Sequence, residues 1–186
     1  MKIIAGEAKG RVIKSRKGMD TRPTLANVKE ALFSMILPYI SDCCFLDLFS
    51  GTGNIALEAL SRGAKRAVMI EKDTEALRII IENINNLGFE NKCRAYKNDA
   101  LRAVKILGKK REKFDIIFMD PPYKEELCRS VLKEIRKADI SAEGGLIICE
   151  HHVREDLIED IEDIENFKFR DRRVYGKKAL SFFVNE

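Results

Sequence analysis

From Cys43 onward the chain alternates short apolar runs with amphipathic segments, and no other feature limits the fold as tightly. Strand candidates are Cys43–Phe49, Arg66–Glu71, Lys92–Lys97, Phe114–Met119, Gly145–Glu150, Phe167–Tyr175 and Ala179–Val184. Helical segments lie between the first five: Asn54–Arg62, Thr74–Leu87, Ala100–Leu107 and Glu125–Ala138. A further helix, Arg154–Asp160, precedes the last two strands. Leu77, Ile80, Ile81, Ile84 and Leu87 give the second helix an apolar face, and Gly88 is placed to end it. Alternation of this kind predicts an α/β, Rossmann-like fold, a seven-stranded, mostly parallel sheet with helices on both faces. The last two strands are joined only by Gly176-Lys177-Lys178. That is too short for a parallel crossover and suits a hairpin, so the C-terminal end of the sheet should be antiparallel.

Ahead of this pattern, Ile3-Ile4-Ala5 and Arg11-Val12-Ile13 flank Gly6 and Gly10 and can pair as a small hairpin. Lys14 to Arg22 reads as an exposed basic loop. Thr24 is a plausible N-cap for a helix with Leu25, Val28, Leu32, Met35 and Ile36 on one face, ending at or just before Pro38. The 186 residues fit one domain, 1–186, with 1–23 as a basic hairpin or arm. Residues 1–22 carry seven Lys or Arg against Glu7 and Asp20, on a chain of net charge only +4. Such an arm suits a polyanionic partner approached from one side, although a solvated terminus has the same composition. Lys168, Arg170, Arg172 and Arg173 either extend that surface or form the solvent face of a strand.

No stretch has the apolar length needed to span a bilayer, and Met1-Lys2-Ile3-Ile4-Ala5-Gly6 is too short and polar for a signal peptide. Five scattered cysteines without C-x-x-C spacing read as reduced thiols of a cytoplasmic protein rather than a disulfide framework or zinc site. His151 and His152 follow the fifth strand and, with Glu150, could suggest a metal, but two adjacent histidines rarely face one ion, so they read as a solvated loop and no metal site is expected.

The first strand runs into Asp47-Leu48-Phe49-Ser50-Gly51-Thr52-Gly53-Asn54. A glycine turn between strand and helix lets a ligand approach the backbone and meet its N–H groups. Glu71 ends the next strand and can accept from two ribose hydroxyls. Asp47, four residues before Gly51, suits a cationic ligand group and would repel pyrophosphate. Asn98-Asp99-Ala100 follows the third strand, where an acid can accept from an adenine amino group. Each acid also has a local use: Asp47 can cap the turn and Asp99 the helix at Ala100. Four acids after four successive strands, Asp47, Glu71, Asp99 and Asp120, are harder to assign to caps alone. They favour S-adenosylmethionine over NAD, with Phe49, Ser50, Gly51, Thr52, Gly53, Lys72 and Ala100 completing the donor-side set.

The fourth strand ends in Asp120-Pro121-Pro122-Tyr123. Alone, this reads equally well as a strand end with a Pro-Pro turn or as a site for a flat ring bearing an amino group. Beside a methyl donor, the second reading becomes specific. An exocyclic amine is a poor nucleophile because its lone pair is delocalised into the ring. A carboxylate and a backbone carbonyl accepting its two N–H bonds would draw it toward tetrahedral geometry, with Tyr123 stacked on the base. Asp120 would then either remove a proton or only orient the amine. The base must be single-stranded or flipped out, and no metal is required.

Asp47 to Gly53, Glu71-Lys72-Asp73 and Asp120 to Tyr123 resemble the amino-methylating branch of the Rossmann-like methyltransferases. Ile3-Ile4-Ala5-Gly6, Lys9-Gly10-Arg11, Thr21-Arg22-Pro23-Thr24 and Val28-Lys29-Glu30-Ala31-Leu32-Phe33 narrow the likeness. With them, nearly the whole chain resembles the bacterial small-subunit (16S) rRNA guanine-N2 methyltransferase family. Asn27 departs from the basic residue expected there. The resemblance implies S-adenosylmethionine as donor and the N2 amine of one guanine of 16S rRNA, within a small-subunit particle, as acceptor. Lys9, Arg11, Arg16 and Arg22 would anchor RNA. The alternatives are adenine-N6 methylation of DNA, a non-catalytic nucleic-acid-binding module and an NAD-linked oxidoreductase.

Overall fold

The computed structural model describes residues 1–16, 23–122, 127–155, 157 and 166–186. Its elements in chain order are α1 (Pro23–Ile40), β1 (Cys44–Asp47), α2 (Asn54–Ser61), β2 (Arg66–Glu71), α3 (Thr74–Leu87), β3 (Cys93–Lys97), α4 (Ala100–Lys109), β4 (Phe114–Met119), α5 (Leu127–Ala138), β5 (Ser141–His152), β6 (Phe167–Tyr175) and β7 (Lys178–Asn185). The seven strands form one sheet of order β3-β2-β1-β4-β5-β7-β6. The pairs β1–β2, β2–β3 and β4–β5 are parallel, and β7 is antiparallel to both β5 and β6. This is the mostly parallel α/β sheet with an antiparallel C-terminal pair that the alternation predicts. The chain falls into two compact units, Met1–Asn98 and Asp99–Glu186.

In the first unit, β1 and β2 are almost wholly buried: Phe45, Leu46 and Met69 have no exposed surface. Strands covered on both faces need continuous apolar runs rather than alternation, which is how both read in the sequence. Helix α3 begins where Asp73 accepts a bond from the Ala76 N–H (2.9 Å) and ends at Gly88 in the left-handed region (φ 76°). Helix α1 starts at Pro23, one residue before the expected cap, where a missing N–H costs nothing. It also runs past Pro38 to Ile40, further than expected. One lost backbone bond in the last turn is offset by burial of Ile36 and Ile40 (each 1% exposed).

The apolar face of α3 is rotated from the expected one. Ala76, Ile80, Asn83, Ile84 and Leu87 are buried, while Ile81 is 46% exposed. The N-terminal hairpin is present as a short antiparallel bridge between Lys2 and Val12, with Ile3 and Ile13 buried. It is docked rather than free. The Glu58 carboxylate accepts from the Ile4 and Ala5 N–H groups (2.8 and 3.0 Å), and the Ser61 carbonyl accepts from Glu7 N–H (2.8 Å). At Gly6 (φ 84°) a Cβ would lie 1.7 Å from the Ser61 carbonyl oxygen, so no other residue fits this approach.

The second unit is held by β4, β5 and β7. Strand β5 is longer than expected, opening at Ser141 and continuing through His152. His151 and His152 therefore belong to a strand, not to a solvated loop. His151 is 2% exposed, with Nε2 2.8 Å from Ser181 Oγ and Nδ1 2.9 Å from the His152 carbonyl. A carbonyl only accepts, so Nδ1 carries a proton, and Nε2 shares a second bond with the Ser181 hydroxyl: a hydrogen-bonded core imidazole. Among the described residues, no three His, Cys, Asp or Glu side chains gather as metal ligands. None of the described helices is long and apolar enough to cross a membrane. The helix expected over Arg154–Asp160 falls largely outside the described residues; within it, Arg154 and Leu157 lie in turns.

Candidate methyl-transfer site

In the first unit, the turn after β1 is tied at nearly every residue. Asp47 is 1% exposed; its Oδ1 accepts from the Phe49 N–H (3.2 Å), and its carbonyl from Ser50 Oγ (3.0 Å). The Ser50 N–H reaches across to the Ile70 carbonyl (3.0 Å), and the Gly53 N–H closes the turn on Ser50 (2.7 Å). Gly51 (φ 56°) and Gly53 (φ 83°) both sit in the left-handed region. They differ in surroundings. A Cβ on Gly53 would press on Leu57 Cδ1 (3.1 Å) and Met69 Sδ (3.2 Å), whereas one on Gly51 would meet nothing within 4 Å. The backbone at Gly51 is thus open to a ligand, and Gly53 serves packing.

Glu71 organises this edge. Its Oε2 accepts from the Gly51 N–H and its Oε1 from the Asp73 N–H, both at 2.8 Å. Burial raises its pKa, against the backbone donors from Gly51 and Lys72 that lower it. Lys72 is exposed. Thr52 is held from beneath by Asn83, a residue whose role the sequence did not reveal. Fully buried, Asn83 donates through Nδ2 to the Thr52 carbonyl (3.0 Å) and the Lys14 carbonyl (3.1 Å). Its Oδ1 accepts from the Lys14 N–H (2.7 Å).

The basic segment is therefore part of the same fabric. Lys14 pairs with Glu82 (2.5 Å), Arg16 with Asp73, and the Arg11 guanidinium donates to the Asn86 and Leu87 carbonyls. Lys9 is exposed, and Arg22 lies outside the described residues. A second buried group was also missed. Glu58, with no exposed surface, bonds Lys29 Nζ (2.7 Å) and Arg62 Nε (2.8 Å). Burial lowers the Lys29 pKa. For Glu58 burial acts upward, but the Lys29 charge and the donors around it leave its pKa lowered. The available sequence signal was an acid amid Ala56, Leu57, Ala59 and Leu60.

In the second unit, Asp99 N-caps α4, accepting from Arg102 N–H at 3.3 Å, and Ala100 is buried. Asp120 follows the fully apolar end of β4; it is partly buried, Pro121 is buried and Pro122 exposed. Tyr123 lies outside the described residues. Burial pushes the Asp120 carboxyl up to about 7, helped by the Glu150 charge and opposed by Lys178. On β6, Lys168 pairs with Glu186 and Arg173 with Asp171 (3.0 Å), while Arg172 donates to the Val153 carbonyl (2.6 Å).

The family model described as conserved hypothetical protein 95 matches residues 1–184. A Bacillus subtilis protein, YlbH, provisionally named an rRNA methyltransferase, is 38% identical over 183 residues, 98% of each chain. The ribosomal RNA small subunit methyltransferase D of Escherichia coli K12 is 32% identical over 186 residues, 100% of this chain and 90% of that one. A solved Escherichia coli structure, yhhF, provisionally described as a methyltransferase, superposes with a TM-score of 0.89 at 30% identity, covering 100% of this chain and 98% of its own. The chain belongs to the conserved hypothetical protein 95 family, together with the small subunit methyltransferase D of Escherichia coli.

Proposed function

We propose that this protein transfers a methyl group from S-adenosylmethionine to the exocyclic N2 amine of a guanine in small-subunit (16S) rRNA. The observation that carries the reading is similarity along the whole chain to rRNA methyltransferases. The residues fit such a donor. Gly51 has the open backbone a nucleoside needs, Glu71 has a fixed carboxylate beside it, and Asp47 is a buried acid matched to a cationic group. Phe49, Ser50, Thr52, Gly53, Lys72, Asp99 and Ala100 complete the proposed donor set. When bound, the donor supplies an electrophilic methyl on a sulfonium.

The chain's own work is on the amine. Asp120 accepts one N–H bond, and a backbone carbonyl held by Pro121 and Pro122 accepts the other. The nitrogen lone pair is thereby freed from the ring to form the new N–C bond, and one amine proton is released. Tyr123 stacks on the base. Lys9, Arg11, Arg16 and Arg22 contact the RNA backbone, and this contribution weakens with salt. The acceptor is 16S rRNA within a small-subunit particle, the setting cytoplasmic, and residues 1–186 act as one domain.

The test is transfer of labelled methyl to small-subunit particles, naked rRNA and DNA, followed by nucleoside identification. Label in N2-methylguanosine of 16S rRNA is expected. Label in DNA adenine, or a preference for NAD over S-adenosylhomocysteine in binding, would overturn the reading. Asp120→Ala should lower turnover more than about 100-fold while S-adenosylhomocysteine still binds.

A further inference from the structure

Asp120 does not stand alone at the end of β4. Strands β4 and β5 run parallel in register, with Met119 opposite Cys149, so Asp120, the first residue past β4, comes level with Glu150 of β5. Glu150 is 6% exposed, unusual for an acid, and pairs with Lys178. Lys178 opens β7 opposite His152, two residues along the ladder from Leu180, the cross-strand partner of Glu150. Glu150 and Lys178 are therefore diagonal neighbours on one face. His151 points to the other face and is occupied by Ser181. On the elements beside it in its own unit, the charged groups acting on Asp120 are Glu150 of β5 and Lys178 of β7.

The geometry points to Glu150 and Lys178 as positioning residues of the amine site, an ion pair that holds a second carboxylate against Asp120 and decides how readily Asp120 keeps a proton. The inference rests on Asp120 acting on the acceptor amine. Two carboxylates side by side do not ionise independently. Lys178 pairs with Glu150, and the Glu150 charge facing Asp120 favours a proton on Asp120. Ionised Asp120 accepts the amine N–H. As the N–C bond forms and the methyl–sulfur bond breaks with its electron pair going to sulfur, the amine proton passes to the Asp120 carboxylate and then to water. An aspartate at its ordinary acidity would be a much weaker acceptor for that proton. The burial of Asp120 supplies most of the difference, the Glu150 charge beside it adds to it, and Lys178 sets how much.

The test is the pH dependence of kcat/KM for methyl transfer to small-subunit particles, with Glu150→Gln, Lys178→Met and Lys178→Arg compared with the parent. Glu150→Gln removes the like charge, and the acid limb should move down by about one pH unit, a tenfold change in proton concentration at half activity. Lys178→Met removes the opposing charge and should move the limb up by a similar amount. Lys178→Arg, which keeps the charge, should retain the parental limb. An NMR titration of the Asp120 carboxyl carbon in Glu150→Gln reads the same shift without turnover, so the test survives if Lys178→Met fails to fold. Unmoved limbs, or limbs that move in the same direction in Glu150→Gln and Lys178→Met, would overturn the inference while an inactive Asp120→Asn variant leaves the proposed function standing. Full turnover in Asp120→Asn would overturn both.

Discussion

The turn after β1 and the end of β4 each place an acid after a buried strand, but the two are held in different ways. The turn is fixed by hydrogen bonds to the backbone, to Asn83 and to the carboxylates of Glu71 and Asp47. Ser50, Gly51, Thr52 and Gly53 each have a backbone group bonded to Ile70, Glu71, Asn83 or the turn itself, and Asp47 caps Phe49. Asp120 is set by burial and charge: burial raises its pKa most, Glu150 adds to this and Lys178 opposes. Hydrogen bonds of short reach from backbone donors give the turn a fixed shape. Like charges at a half-buried strand end give a protonation state that pH and single substitutions can move. A donor cradle needs the first property and a proton-accepting group needs the second.

The comparison breaks most readily where the first unit itself contains a buried charge. Glu58 holds Lys29, Arg62 and the N–H groups of Ile4 and Ala5. Glu58→Ala leaves Lys29 buried without its counter-ion and should cost about 3–5 kcal/mol in urea melts. Because the Glu58 pKa is lowered in the fold, the stability it contributes is present at neutral pH and is lost as pH falls through that lowered value. A loss below about 1 kcal/mol would show that the hairpin is held by its apolar contacts, Ile3 and Ile13, instead.

A smaller effect sharpens the contrast. Asn83→Ala leaves Lys14 N–H, Lys14 C=O and Thr52 C=O without their partner and should cost about 2–3 kcal/mol. Asn83 carries no charge, so the loss should be the same at pH 6 and pH 9. S-adenosylhomocysteine affinity should also fall, since Thr52 is in the proposed donor turn. A pH-dependent loss would mean that the Asn83 bonds are coupled to a titrating group.

What was legible follows the same division. Strands β2, β4 and β6 and helix α3 begin and end where the sequence pattern places them, because apolar runs, Asp73 and Gly88 are local signals. The glycine turn and Asp120 were legible as motifs for the same reason. Asn83 was not. A helical wheel assigns Ile81 to the core, and only the distant Lys14 and Thr52 make a buried asparagine affordable while Ile81 faces solvent. His151 and His152 were misread as members of a loop because β5 extends beyond its apolar run. The partners of Glu150 and His151, Lys178 and Ser181, lie about thirty residues away and are brought across by the antiparallel register of β7.

The smallest predicted effect on stability is a gain, and its pH dependence is the direct counterpart of the Asn83 experiment. The Asp120 carboxyl titrates near 7 in the fold against an ordinary value of 3.8. Between those values the native chain binds more protons than the unfolded one, so stability declines as pH rises from about 4 to about 7, and the decline is complete above that. Asp120→Asn is neutral throughout. It should match the parent below pH 3.8, where both side chains are uncharged. Its advantage should grow through neutral pH and reach about 1–2 kcal/mol at pH 8, with methyl transfer lost. Urea melts at pH 4, 6 and 8 measure this directly. An advantage that does not vary with pH would point to improved packing, whereas one that tracks pH and shrinks when Glu150→Gln is added would identify the Glu150 charge as a contributor beside burial.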